Sequence, residues 1–142
     1  MDFILKGFKF YGACLNHGLR AYIWRVSPER WPNSMGAFIA LLLPYFALTS
    51  AYASVMHLWP LIPATAVLFI VGVVANRLMD VSYRMLFGSF LVCLVAAVVK
   101  LGLIVFGASD YLHLAMYVVQ TAVFMHVIIR TISWEQAPEN CR

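Results

Sequence analysis

Apolar residues run almost unbroken through four stretches, 35–56, 58–75, 85–106 and 111–132, parted only by short hinges. Each has roughly the 17–25 residues that a helix needs to cross a hydrocarbon core about 30 Å thick. The pattern predicts an all-α integral membrane protein, a four-transmembrane-helix bundle over residues 35–132. Residues 1–34 form an arm and a turn ahead of it, and 133–142 a short tail. A single folding unit fits this length.

The arm has a different pattern. Over residues 3–26, at 100° per residue, Lys6, Lys9, Asn16, His17 and Arg20 fall within an arc of about 100°. Phe3, Ile4, Phe8, Tyr11, Leu15, Tyr22 and Ile23 fall outside it. This predicts a basic amphipathic helix lying against the anionic headgroups of the cytoplasmic leaflet. Gly7, Gly12 and Gly18 each weaken such a helix by about 1 kcal/mol relative to Ala, so membrane or partner contact must stabilise it. It serves either as a docking arm or as a plain anchor. Residues 27–32 read as a turn, Asn33 or Ser34 caps the first span, and Trp31 suits the interface.

Composition agrees: 63% of residues are hydrophobic and 11% charged, against about 25% charged in ordinary soluble domains. The net charge of +4 does not point to nucleic acid, because the cations are not gathered on a soluble domain. Lys6, Lys9, Arg20, Arg25 and Arg30 lie on the arm, and Arg77 and Arg84 at the second hinge. The hinge at His57 has no Lys or Arg, and the hinge at 107–110 holds only an acid. Basic loops therefore alternate with non-basic ones, which places both termini in the cytoplasm. The expected location is a bacterial inner (cytoplasmic) membrane. Cys14, Cys93 and Cys141 do not suggest a disulfide framework, because two fall on the reducing side and one within a span.

Helices in lipid associate through small residues and occasional polar contacts. The first span carries Gly36, Ala40, Ala47, Ala51 and Ser54 on one side, with Tyr45, Thr49 and Tyr52 opposite. Pro44 removes one helical hydrogen bond there and frees a carbonyl one turn earlier. The second span aligns Thr65, Phe69, Gly72 and Asn76. The third aligns Ser89, Cys93, Ala96 and Lys100, and the fourth His113, Tyr117, Gln120 and Thr121. These stripes either pack the bundle or line a cavity or pore.

Lys100 is the sharpest single residue. It lies about seven residues, or ~10 Å, inside the outer end of its span. A charge at the centre of a transmembrane helix costs ~2.5–3.5 kcal/mol. Its ammonium snorkels outward, pairs within the bundle or with a partner, or lines an ion path. At its depth stand Tyr52, Thr65, Tyr117 and Gln120, whereas the nearest acid is Asp110 at the outer hinge. No Asp or Glu lies inside any of the four apolar runs, which weakens a proton-coupled transport reading.

His57 and His113, at the outer ends of the first and fourth spans, form a weak candidate pair for haem b, with His126 and His17 towards the inner face. No metal site is expected beyond that, and no cofactor. The chain has no C-x-x-C, H-E-x-x-H, phosphate-binding glycine loop or G-x-S-x-G, so it is not expected to be an enzyme. The leading expectation is a non-catalytic subunit that assembles with other subunits in a larger membrane complex. A homo-oligomeric pore, holin-like or an antiviral effector, is the alternative, as is a small immunity or exclusion protein. A haem-binding anchor is the minor one.

Overall fold

The computed structural model describes residues 1–141. Helix α1 (Asp2–Tyr22) leads through a short 3-10 turn (Pro28–Arg30) into α2 (Met35–Val55). Then follow α3 (Leu61–Leu78), α4 (Tyr83–Val105), α5 (Asp110–Gln136) and a last turn at Glu139–Cys141. Among the described residues, α2 to α5 are the helices long and apolar enough to cross a membrane. The fold is all-helical and of membrane type.

Local chemistry sets the helix ends. Ser34 and Ser82 cap α2 and α4, their hydroxyls accepting from Ala37 N at 3.4 Å and Met85 N at 3.2 Å. Pro60 precedes α3 and Pro63 sits in its first turn, where a missing N–H costs nothing. Helix α3 therefore starts three residues later than the apolar run. Helix α5 runs four residues beyond its apolar run into the expected tail, since no Gly or Pro interrupts it before Pro138.

Each of the first four helices is followed by a residue in the left-handed region: Trp24 at φ 59°, His57 at 55°, Asp80 at 51° and Gly107 at 65°. Three of these carry a side chain, which costs on the order of 1 kcal/mol apiece. The tight turns behind them repay part of that, with Leu58 N bonding Ala53 O at 2.8 Å and Ala108 N bonding Leu103 O at 2.9 Å.

Helix α4 is the axis of the molecule. Phe87 to Ala97 are buried without a break. Helix α2 packs on one side of it, α5 on another, and α1 crosses a third. Helix α3 packs chiefly on α2, and only 11% of its most apolar stretch is buried. The stripe Ser89, Cys93, Ala96 and Lys100 lies wholly within the interior.

On α2 the inward face is the opposite of a small-residue interface. Phe38, Tyr45, Thr49 and Tyr52 are buried, whereas Gly36, Ala47, Ala51 and Ser54 are exposed. The reason is complementarity. Close packing favours large residues against small ones, and Cys93 and Ala97 of α4 share a cavity with Tyr45, Thr49 and Tyr52. Phe38 and Tyr45 both meet Phe90 edge-on, with ring centroids 5.4 Å apart.

Helix α1 is three-sided. Cys14, Gly18 and Ala21 are buried, Lys6, Lys9 and Asn16 are exposed, and so are Phe3, Ile4, Phe8, Leu15 and Leu19. A Cβ on Gly18 would stand 2.5 Å from the Val95 side chain and 3.0 Å from the Leu91 carbonyl oxygen, so glycine permits the crossing. Tyr22 donates its hydroxyl to Val92 O at 3.0 Å. Tyr11 donates to Ala40 O at 3.0 Å, and that carbonyl is the one Pro44 deprives of its helical partner.

At the same end of the bundle Trp31 lies flat against α4. A Cβ on Gly88 would fall 2.1 Å from its ring, and Arg84 Nε donates to Trp31 O at 3.2 Å. The Arg84 guanidinium also stands 4.6 Å from the Trp134 ring, and Ser82 donates to Glu135.

Three outcomes are expected. Gly88→Ala drives Trp31 off α4 and lowers the thermal midpoint in detergent, at a cost of about 1–3 kcal/mol. Gly102→Ala, whose Cβ meets nothing within 4 Å, leaves the midpoint level or raises it. In thiol labelling of the folded protein at pH 8, the exposed Cys141 reacts while buried Cys14 and Cys93 do not. Burial pushes the Cys14 thiol up to about 11, leaving about one molecule in a thousand as the reactive thiolate. Labelling of Cys14 before denaturation would show that α1 is not held on α4.

Candidate functional site

The polar residues that lie far apart along α2, α4 and α5 meet in one internal chamber of about 190 Å³. Tyr52, Lys100, Tyr117 and Gln120 line it together with Tyr45, Thr49 and Cys93, and Leu61 and Leu68 of α3 close its side. Helix geometry brings this about. Cys93 and Lys100 are two turns apart on α4, Tyr117 and Gln120 one turn apart on α5, and Tyr45, Thr49 and Tyr52 two turns on α2.

Lys100 is buried, with 7% of its surface exposed. The Nζ stands 3.5 Å from the centroid of the Tyr117 ring and 5.8 Å from that of Tyr52. A desolvated cation over an aromatic face gains ~2 kcal/mol, comparable to what its burial in the membrane costs. The rings neutralise no charge, however. Among the described residues no carboxylate lies within 4.0 Å of the ammonium, and it donates no hydrogen bond.

A second polar pair sits beside it. The Tyr52 hydroxyl and His113 Nδ1 are 3.1 Å apart in a buried contact, with the rings 5.8 Å apart. On the opposite wall Gln120 Nε2 points at Cys93 Sγ at 3.5 Å, a weak acceptor, and Gln120 Oε1 has no partner. The chamber thus holds one unneutralised cation and one unsatisfied acceptor. Each is costly to leave so in a dry interior.

Thr65 is buried but does not share this chamber. Its hydroxyl bonds back to Leu61 O at 2.7 Å, and it lines a neighbouring apolar cavity of about 270 Å³ between α2 and α3. His57 is an exposed residue of the α2–α3 hinge, whereas His113 is buried against Tyr52. His126 meets Trp24 edge-on at 4.2 Å, and His17 lies near α4 on the arm. Among the described residues no three His, Cys, Asp or Glu side chains come together in a metal-binding group.

Sequence reasoning missed Cys93 and His113 as neighbours of the Lys100 site. Both stand on the polar stripes of their helices, so the signal was present, but their meeting depends on helix rotation. The basic side chains of the arm do not gather at the chamber. Lys6 and Lys9 are exposed, and His17 lines a separate cavity at the other end of the bundle.

No protein-family model, no curated protein and no solved structure matches this chain.

Replacing a buried ion by an apolar residue of similar volume is often neutral or stabilising by ~1–4 kcal/mol. Lys100→Met is therefore expected to keep or raise the thermal midpoint of the isolated protein. A marked fall would show that the ammonium–tyrosine contact stabilises the fold rather than being tolerated by it.

Proposed function

We propose that this chain is a non-catalytic integral membrane subunit, with both termini in the cytoplasm, that assembles with other subunits through Lys100. The observation that carries the reading is a buried cation with no counter-charge among the described residues. A carboxylate on a partner's transmembrane helix supplies that charge. It also gives a hydrogen-bonded ion pair a reason to form at this depth, because charge-assisted bonds strengthen as water is excluded.

The open side of the bundle favours a lateral partner. Helix α3 leans on α2 and α5 on α4, so the two make at most marginal contact with each other. The Lys100 chamber lies behind the gap, with Leu61 and Leu68 on one bank and Tyr117 and Gln120 on the other. A helix entering there brings an acid to Lys100 and can donate to Gln120 Oε1. A self-assembled pore is less well supported, since Lys100 lies inside one chain's bundle rather than on a face that copies would turn towards a common axis.

The topology belongs to the same proposal. Arg77, Arg84 and the arm lie at one end, and the hinges at His57 and Gly107 lie at the other without Lys or Arg. The arm's exposed apolar side then enters the cytoplasmic leaflet while Lys6 and Lys9 reach its headgroups.

Native mass spectrometry of the tagged protein, extracted gently from its own membrane, tests this reading. Partner subunits in fixed ratio are expected, with Lys100→Met losing them by about tenfold while the protein itself stays folded. A single homo-oligomeric mass, with ion selectivity altered by Lys100→Met, would replace the proposal by a pore. Retention of every partner by Lys100→Met would remove Lys100 as the contact.

A further inference from the structure

A second cavity, of about 290 Å³, lies at the opposite, basic end of the molecule, bounded by α1, the turn after it, and the first turns of α2 and α4. It does not depend on the Lys100 chamber. Its lining is apolar at Phe10, Cys14, Trp31 and Phe87, and its rim holds His17 and Arg30. Trp31 is 3% exposed, and its indole N–H has no hydrogen-bond partner. That nitrogen has essentially no accessible surface, so it faces packed side chains rather than the cavity.

The electrostatics of the rim have one sign. Burial first, then the charges of Arg20 and Arg30, hold His17 below its ordinary range. Two guanidinium groups therefore act on the same small region. Among the described residues neither is paired with a carboxylate. An anion placed there accepts from the Arg30 guanidinium, and His17 can donate a further bond.

We infer that this cavity binds the phosphodiester of an anionic phospholipid, its acyl chain lying along Phe10 and Phe87 and its phosphate held by Arg30 and His17. The combination of floor and rim selects the occupant. A free inorganic phosphate leaves the apolar floor unused, and a zwitterionic choline headgroup brings a cation to a basic rim. A negatively charged lipid satisfies both halves.

The position also fits. The cavity is set between Cys14 on α1 and Phe87 on α4, about four residues or ~6 Å from the start of α4. Apolar side chains of α1 face outward beside it. A lipid headgroup at that end therefore places its first methylenes at the level of the floor. In this arrangement the lipid becomes part of the joint between the arm and the bundle, so its removal loosens α1.

The test uses the full-length protein in detergent, titrated with phosphatidylglycerol or phosphatidylcholine and read by native mass spectrometry. Phosphatidylglycerol is expected to be retained about tenfold more tightly than phosphatidylcholine. Arg30→Gln, at an exposed position that cannot disturb the core, is expected to remove most of that preference. Lys6→Gln removes the same unit of charge at an exposed arm position away from the cavity, and should change retention less than about twofold.

Equal losses from Arg30→Gln and Lys6→Gln would mean that diffuse charge, not this cavity, attracts the lipid. Equal retention of the two lipids would overturn the anionic preference altogether. Displacement of bound lipid by millimolar inorganic phosphate would overturn the role of the apolar floor. None of these outcomes bears on Lys100, whose partner contact lies at the other end of the chain's helices.

Discussion

Everything in this molecule is arranged around the close approach of other helices to α4. In a bilayer the lipid tails are as apolar as the side chains they replace, so association cannot draw on the hydrophobic effect between helices. Contact distance has to supply the stabilisation. Gly88 of α4 admits the Trp31 ring, and Gly18 of α1 brings the arm against Leu91 and Val95 of α4. Only α3, which leans on α2 instead, escapes this arrangement, and it is correspondingly the least buried of the spans. That loose attachment leaves a side entrance to the interior.

The arm shows how a local defect becomes a tertiary contact. Proline in a helix interior removes one N–H and strands a carbonyl, which in lipid must find another donor. Tyr11 provides it across 29 residues of sequence. Tyr22 makes a similar reach to α4, and Gly18 sets the separation between the two helices. The arm is therefore part of the folded body over its C-terminal half, with its first turns projecting beyond the bundle.

Two polar concentrations remain, at opposite ends of the bundle, and their chemistry differs. The Lys100 chamber is deep and aromatic, with a single cation that has no counter-ion among the described residues. The cavity under the arm is shallow and apolar-floored, with basic groups at its rim. A deep isolated cation suits a partner's carboxylate, which brings its own helix and so keeps water out. A shallow basic rim over an apolar floor suits a ligand that is itself half charged and half apolar. Both follow from the same rule, that polar groups held in low dielectric must be matched by something.

How much of this was legible in the chain divides along physical lines. The apolar runs, their hinges and the all-helical class could be read directly, because a segment of about 20 apolar residues has few stable alternatives in a bilayer. The polar stripe through Ser89, Cys93, Ala96 and Lys100 could be read because 3.6-residue periodicity is a property of one helix alone. The rotation of each helix about its axis could not. It turned the tyrosine face of α2 inward rather than the alanine face, brought His113 to Tyr52, and sent Thr65 to a different cavity from Lys100. The left-handed turns at Trp24, His57 and Asp80 were equally hidden, since none of them is the glycine that marks such a turn in a sequence. Periodicity determines which residues share a face of a helix, whereas the partner that face meets is settled only when several helices compete for the same surface.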